Sequence, residues 1–254
     1  MFAASGQLTG SFGLARGTNT EATREADEPA HAGVLGGGSV WYSWTAPQSG
    51  RVVFDTRSRS TTFDTALAAY TGDRLDRLAP VAANDDARPF RPWSRITFRA
   101  VQATTYRLAV DGVAGKNGTY RLHWAMRTAN NTFAEAQRLR GISGSVVGDN
   151  TLATRDPGEP RFRPHSIWYR WTAPSTRRMV FDTRGSEFDT VLWVFRGRDL
   201  STLRREAFND DAIGLRSRVR FDAVAGRTYR IAITSFPRSD GGAAALNWQR
   251  WQRR

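Results

Sequence analysis

The amino-acid sequence predicts an all-β protein made of two tandem antiparallel β-sandwich domains, each of jelly-roll type. Three observations carry this prediction. One unit is written twice along the chain, apolar and polar residues alternate at a period of two, and turn-forming residues separate the alternating runs. Roughly seven to nine short strands in a unit of about 125 residues are typical of such a sandwich.

The repeat is plainest in one segment, because residues 39–47 (SVWYSWTAP) return as residues 166–174 (SIWYRWTAP). Shorter motifs recur around it in the same order: GTNTEATR as GDNTLATR, then Glu-Pro, and after it FDT twice, NDD and TYR. The spacing between matching motifs shrinks along the chain, which indicates small deletions in surface loops of the second copy. We therefore expect two domains of ordinary size, residues 1–127 and 128–254.

Alternation identifies the strands and the faces that they bury. Ile96 and Phe98 share one face of a predicted strand while Thr97 lies on the other, and Val219 and Phe221 repeat the pattern in the second copy. One face on a core and one in water is typical of antiparallel sheets.

The aromatic strand of each copy gives a more detailed expectation. Tyr42 and Trp44 share a face and are predicted to lie in the core, whereas Trp41 and its counterpart Trp168 point the other way. These two tryptophans lie either under a covering loop, the commoner arrangement, or exposed as a stacking platform. His123 is expected on the solvent face of its strand.

Composition limits the classes of function. Hydrophobic residues make up 40% and charged residues 24% of the 254 residues, no apolar run is long enough to span a membrane, and cysteine is absent. The net charge is +13, with Lys116 as the single lysine. Because the arginines are scattered along the sequence, a solvated arginine-rich surface is favoured over a nucleic-acid interface.

Histidines do not support an enzyme. None of His31, His123 and His165 recurs at the matching position of the other copy. Two active copies would therefore have to share one base for nucleophilic catalysis. A single active copy is the remaining possibility, but the sequence favours no catalytic activity. A hydrolase that works through recurring carboxylates such as Asp64 and Asp189 is the enzymatic alternative.

The order of these motifs resembles the bacterial pre-peptidase C-terminal domain family, over nearly the whole chain and twice. The residues that carry the resemblance are NxxFAxA, Glu-Pro, SxWYxWTAP, FDTxL, NDD and GxTY, although copy one has Ala103-Thr104 where the family favours glycine. The resemblance implies a jelly-roll-like sandwich in a secreted or surface protein, usually an accessory module beside a peptidase or another hydrolase. Some relatives bind collagen or polysaccharide and hold calcium.

Acidic residues and asparagines recur at predicted strand ends, where oxygen ligands suit a hard cation such as calcium. The alternative is that these side chains cap turns by bonding nearby backbone N–H groups. The candidate calcium ligands are Glu28, Asp64, Asn84, Asp85 and Asp86 in copy one, and Glu159, Asp189, Asn209, Asp210 and Asp211 in copy two.

Phe90 and Trp93 lie in a loop with no aromatic counterpart in copy two and are the candidate ligand-binding residues. The function predicted from these observations is a non-catalytic accessory or adhesive module, a piece of a longer secreted or surface-anchored bacterial protein. Its partners would be an extracellular polysaccharide or protein and neighbouring domains, without a membrane span. The alternatives are a purely structural spacer, the carboxylate-dependent hydrolase and a nucleic-acid binder.

Overall fold

The computed structural model describes residues 1–34, 36–58, 60–87, 92–160, 165–236 and 241–252. The chain divides into two compact units, Met1–Met126 and Arg127–Arg254, so that the division falls one residue before the boundary expected from the repeat. In the described residues the structure is almost entirely strands and loops, and the helical segments are single 3-10 turns. The all-β prediction is confirmed.

In its described residues, the first unit contains nine strands and three 3-10 turns. The turns are Phe2–Ala4, His31–Gly33 and Leu75–Arg77. The strands are β1 (Gly6–Leu8), β2 (Phe12–Thr18), β3 (Val40–Thr45), β4 (Gly50–Asp55), β5 (Thr65–Thr71), β6 (Ala79–Asn84), β7 (Arg95–Ala100), β8 (Thr105–Gly112) and β9 (Thr119–Met126).

These strands form two packed sheets, a five-stranded sheet in the order β1-β3-β8-β5-β6 and a four-stranded sheet in the order β2-β9-β4-β7. From β2 onward, the alternation between the sheets is that of a jelly roll with eight strands. The β1–β3 pair is parallel and the other strand pairs are antiparallel. The parallel pair departs from the purely antiparallel prediction because β2, which crosses to the opposite sheet, separates β1 from β3.

The second unit repeats this architecture with 3-10 turns at Ala129–Asn131 and Leu200–Thr202. Its sheets have the orders β10-β12-β17-β14-β15 and β11-β18-β13-β16. The strands are β10 (Gln137–Leu139), β11 (Gly144–Asp149), β12 (Ile167–Thr172), β13 (Arg177–Asp182), β14 (Thr190–Arg196), β15 (Arg204–Asn209), β16 (Arg218–Ala223), β17 (Thr228–Ser235) and β18 (Ala243–Arg250).

The core of each unit lies between its two sheets and is rich in aromatic rings. Trp44 and Trp171 are fully buried there, and each donates its indole N–H to a loop carbonyl, that of Gly10 at 3.0 Å and that of Gly141 at 2.8 Å. These two hydrogen bonds satisfy the buried indoles and tie the loop between the first two strands of each unit to the core. The core positions predicted for the aromatic strand are confirmed.

Trp41 and Trp168 lie on the outer face of the five-stranded sheet and are 2% and 0% exposed. Phe2 covers Trp41 edge-on at a ring separation of 5.1 Å, and Phe133 covers Trp168 in the same way at 5.1 Å. Of the two alternatives for these tryptophans, burial under a covering segment is confirmed.

His123 corrects the strand-face expectation, since it is 9% exposed rather than on a solvent face. It lies across the β4–β9 ladder from Asp55, and its Nδ1 is 3.5 Å from a carboxylate oxygen of that residue. The alternation rule misassigns His123 because both faces of this strand are covered, so that period two no longer separates core from solvent.

Candidate functional site

Glu28, a predicted calcium ligand, is buried in the first unit and is engaged by its neighbours. Its Oε1 lies 2.8 Å from Nε2 of His31, and its Oε2 accepts the backbone N–H of Glu25 at 2.9 Å. The other ring nitrogen of His31 lies 2.8 Å from the hydroxyl of Tyr70. Burial alone would raise the pKa of Glu28, but the hydrogen bonds from His31 and the Glu25 backbone outweigh burial and lower it.

Glu159 occupies the matching place in the second unit with different partners. Its carboxylate accepts the indole N–H of Trp168 at 2.6 Å and the hydroxyl of Ser166 at 2.8 Å. Here burial prevails over these hydrogen bonds and raises the pKa of Glu159. Glu159 therefore bonds the outer-face tryptophan of its unit directly, whereas Glu28 bonds His31 and the backbone of Glu25.

The Asn-Asp-Asp loop of the first unit makes turn-capping hydrogen bonds. Asn84 Oδ1 accepts the backbone N–H of Arg95 at 2.9 Å, and its amide donates to the carbonyl of Asp86 at 2.9 Å. Asp85 Oδ1 accepts the backbone N–H of Asp86 at 2.9 Å. Asn209 repeats the first of these contacts with Arg218 at 2.9 Å. Turn capping thus accounts for the asparagines.

Three carboxylates of the second unit influence one another. Burial raises the pKa of Asp189, and the negative charges of Asp211 and Asp210 add to the effect while Arg216 opposes it. Burial and then Asp211 raise the pKa of Asp210 as well. The structure therefore brings these three aspartates together, but it leaves Glu159 and Asn209 occupied elsewhere.

Calcium finds no complete ligand set in the described residues. No group of three or more His, Asp or Glu side chains in those ranges is arranged to hold a metal ion. In the first unit, Asp64 is paired with the amine of Lys116 at 3.1 Å, which is the position of a cation. Calcium binding stays a prediction of the sequence.

Trp93, a predicted ligand-binding residue, is half-buried, and the guanidinium of Arg57 lies 5.2 Å from the centre of its ring. Its partner in the prediction, Phe90, lies outside the described residues. This cation–π contact between Arg57 and Trp93 is favourable without any bound ligand. Ligand binding at this loop stays a prediction.

The second unit carries a feature that the sequence prediction missed, an open groove of about 950 Å³ in which seven of twelve lining residues are arginines. We call it the arginine groove. The two central arginines, Arg170 on β12 and Arg230 on β17, alternate with residues of the core and therefore point outward from the five-stranded sheet. Arg138, Arg196, Arg198, Arg204 and Arg227 complete the set.

Arg230 is the most constrained of these side chains. Its guanidinium stacks 4.4 Å from the centre of the Phe133 ring, and Arg170 lies directly opposite it in the β12–β17 ladder. Neither Nε nor Nη1 of Arg230 has a hydrogen-bond partner among the described residues, although both atoms are buried. Burial, and then the charge of Arg170, lower the pKa of Arg230, but a guanidinium remains protonated at any physiological pH.

The first unit shows what this arginine does when it has partners. Arg107, the counterpart of Arg230, donates from Nη1 to the hydroxyl of Ser43 at 2.6 Å and lies 3.4 Å from that of Ser5. In the second unit Arg170 stands at the position of Ser43, and Ala136 at that of Ser5. Two hydroxyl partners have thus been replaced by a second cation and a methyl group.

The rest of the groove differs between the units in the same direction. Position by position along the matching strands and turns, the first unit has Gln7, Thr71, Asp73, Ala79 and Thr104 where the second has Arg138, Arg196, Arg198, Arg204 and Arg227. The framework of the two units is shared, so the fold does not require these arginines.

Few negative charges balance the arginine groove. No lining residue within the described ranges is acidic, and the ion pair seen there joins Arg196 to Glu206 beside the groove at 2.8 Å. Closely spaced guanidinium groups without carboxylates favour a bound anion, and the planar guanidinium fork matches the oxygens of carboxylate, sulfate or phosphate.

Sequence reasoning missed the groove because its members are far apart in the chain. The pairing of β10 with β12 and of β12 with β17 is what brings together Arg138, Arg170 and Arg230. The available signal was comparison of the two copies, since outward positions of the second copy repeatedly carry arginine where the first does not.

No helix of the described residues is long and apolar enough to cross a membrane. No family model matches the chain. No curated protein matches it. The resemblance to the pre-peptidase C-terminal domain family therefore stays a prediction.

Solved structures similar to this chain include three bacterial proteins. They are a Paenibacillus xanthan lyase (11% identity, 86% of this chain, 23% of that chain, TM-score 0.25), an uncharacterized protein from Burkholderia cenocepacia (10%, 85%, 78%, 0.24) and the N-terminal CBM22 tandem of Xyn10C from Paenibacillus barcinonensis (11%, 96%, 92%, 0.24). The chain thus spans under a quarter of the xanthan lyase. At these identities and TM-scores, the similarities carry no argument about function.

Proposed function

We propose that this protein is a non-catalytic binding module of a secreted or cell-surface bacterial protein, in which the arginine groove of the second unit holds the anionic groups of an extracellular polymer. The single observation that carries the proposal is the state of Arg230, a partly buried cation that faces another cation and has buried N–H groups without partners among the described residues.

Such an arrangement is unfavourable in the free protein. Like charges directly opposite each other on neighbouring strands repel, and a buried donor without an acceptor loses its hydration. A carboxylate or sulfate in the groove would relieve both penalties. The other arginines of the groove would extend the contact along a polymer, since each adds attraction that weakens with added salt.

Binding of polygalacturonate, a polymer of carboxylated sugars, tests the proposal, with neutral dextran as the uncharged control. We expect polygalacturonate to bind and its affinity to fall as salt rises from about 0.05 to 0.5 M, because salt screens exposed charges. Dextran should not bind.

The decisive variant is the double substitution Arg138→Gln and Arg170→Ser, which installs the residues of the first unit. We expect it to weaken binding by roughly tenfold or more, as the loss of two charge-assisted contacts implies. The matched control is Arg178→Ser with Arg220→Gln, which also removes two positive charges, from exposed arginines on the other sheet. Equal losses of affinity in both variants would mean that binding depends only on net charge, which would overturn the proposal.

Calcium and catalysis are checked separately. A thermal melt in EDTA and then in millimolar calcium tests the Asn-Asp-Asp loops, and any rise should disappear in the double variant Asp85→Ala and Asp210→Ala. Hydrolysis of a bound polymer that is lost in Asp189→Asn, without loss of folding, would replace the non-catalytic proposal with the carboxylate-dependent hydrolase.

A further inference from the structure

Next to the arginine groove, two aromatic rings form a composite surface, which we call the aromatic pair. Trp193 on β14 and Phe208 on β15 lie directly opposite each other in the ladder, with ring centres 4.2 Å apart and planes inclined by 45°. Phe208 is 43% exposed and Trp193 is half-buried. The indole N–H of Trp193 donates to the hydroxyl of Thr234 at 3.3 Å, which fixes the orientation of its ring.

Strand register places the aromatic pair beside the groove on the same sheet. One row of side chains runs across the four strands β12, β17, β14 and β15 and consists of Trp168, Ala232, Trp193 and Phe208. Arg170 and Arg230 belong to the parallel row two residues along, which also contains Phe195 and Arg205. Rows two residues apart are separated by about 7 Å, and β15 lies two strands, about 10 Å, from β17.

The first unit shows that the aromatic pair is dispensable for the fold. Its counterparts are Ala68 and Ala83, which face each other in the same register on the matching strands. In the second unit both alanines are replaced by large aromatic residues, and the ring of Phe208 is partly exposed to solvent. The part of the Phe208 ring that faces solvent gains nothing from burial, which favours a role in recognition.

We propose that the aromatic pair is a stacking subsite for the apolar face of a sugar ring, and that the polymer held by the arginine groove is an acidic polysaccharide. This inference rests on the proposed function and adds the class of the ligand. A chain of rings that bear anionic groups matches the two rows, because its charges meet Arg170 and Arg230 while a neighbouring ring lies on Trp193 and Phe208.

A single-stranded nucleic acid offers charge and rings as well, but it fits less closely. Sequence-independent binders of single strands stack successive bases on aromatic side chains spaced along a basic channel. Here the described exposed surface has one composite platform, in which the two rings pack on each other. The guanidinium of Arg205 lies 5.7 Å from the centre of the Phe208 ring, so the platform has a cation at its border.

The experiment compares polygalacturonate with polyacrylate, a polymer that also carries one carboxylate per repeat unit but has no rings. The protein is the full chain, and the variant is Trp193→Ala with Phe208→Ala, the residues of the first unit. We expect the variant to bind polygalacturonate about tenfold more weakly, the size of a lost aromatic stacking contact, and to bind polyacrylate within about twofold of the unaltered protein.

Two further variants protect the interpretation. Phe208→Ala alone removes the more exposed ring and should give part of the loss if the double variant folds poorly. Phe236→Ala removes another exposed aromatic, 39% accessible, that lies beyond the end of β17 and should change neither affinity.

The outcomes separate this inference from the proposed function. If neither polymer binds, the anionic groove itself is refuted. If both bind and the double variant changes neither affinity, or weakens both equally, the groove stands and the stacking subsite is refuted. An oligothymidylate that binds more tightly than polygalacturonate, and loses that affinity in the double variant, would replace the polysaccharide with a nucleic acid.

Discussion

Asn247 donates a 3.0 Å hydrogen bond to Asp182 in the second unit, at the position where His123 lies 3.5 Å from Asp55 in the first. Both aspartates end the third strand of the four-stranded sheet and are 7% exposed. Both units therefore have a buried carboxylate at this position, but its side-chain partner is a histidine in the first unit and an asparagine in the second.

Replacement of Asn247 tests this exchange. Asn247→Ala should lower the free energy of unfolding by about 1–3 kcal/mol, because Asp182 loses a hydrogen bond to a charged acceptor. Asn247→His should lower it by less, since the first unit places a histidine there. Denaturant midpoints of the two variants measure the difference, and an equal loss in both would contradict a partner role for this side chain.

Arg170→Ser should separate stability from binding. The substitution removes the cation opposite Arg230 and supplies the hydroxyl that Arg107 uses in the first unit. We expect a gain of about 0.5–1 kcal/mol in the free energy of unfolding together with weaker binding of polygalacturonate. Chemical denaturation and titration on the same preparation check both signs. A destabilised variant would show that the like-charge pair is not a strain in the free protein.

Glu28 and Glu159 should respond to pH in opposite directions. The pKa of Glu28 is lowered by folding, so its contribution is present above the unfolded value of 4.5 and is lost as pH falls through the folded pKa. The pKa of Glu159 is raised, so the folded state binds more protons and stability from this group falls as pH rises through the interval above 4.5.

Melts of Glu28→Gln and Glu159→Gln from about pH 3 to 7 measure these contributions. Relative to the unaltered protein, Glu28→Gln should be more destabilising at pH 7 than at pH 3. Glu159→Gln should show the opposite trend and be less destabilising at pH 7 than at pH 3. Parallel pH profiles for the two variants would contradict the opposite shifts.

Ser217 should contribute as much to the free energy of unfolding as its counterpart Ser94. Its hydroxyl lies 2.6 Å from the carbonyl of Thr190 and 2.9 Å from that of Asp210, and the side chain is fully buried. Ser217→Ala and Ser94→Ala should each lower the free energy of unfolding by about 1–3 kcal/mol. Denaturation curves of the single variants test the equivalence, for which Ser217→Thr serves as a hydroxyl-retaining control.

The repeat and its alternation predicted the jelly-roll sandwich and the core tryptophans because these depend on short-range periodicity. Trp44 and Trp171 are buried as their strand pattern indicates. The arginine groove depends instead on which strands are neighbours, and no local pattern shows that Arg170 faces Arg230. His123 was misassigned for a related reason, since residues on both faces of its strand are buried and alternation alone does not show this.

The three-residue strand β1 has a consequence for solubility. It occupies the free side of β3, a strand that contains Trp41, Tyr42 and Trp44 and would otherwise offer unpaired backbone groups to another molecule. Very short border strands of this kind prevent sheets from extending into fibrils. A chain that lacks its first ten residues should therefore self-associate before it unfolds, and it should elute earlier in gel filtration than the unaltered chain.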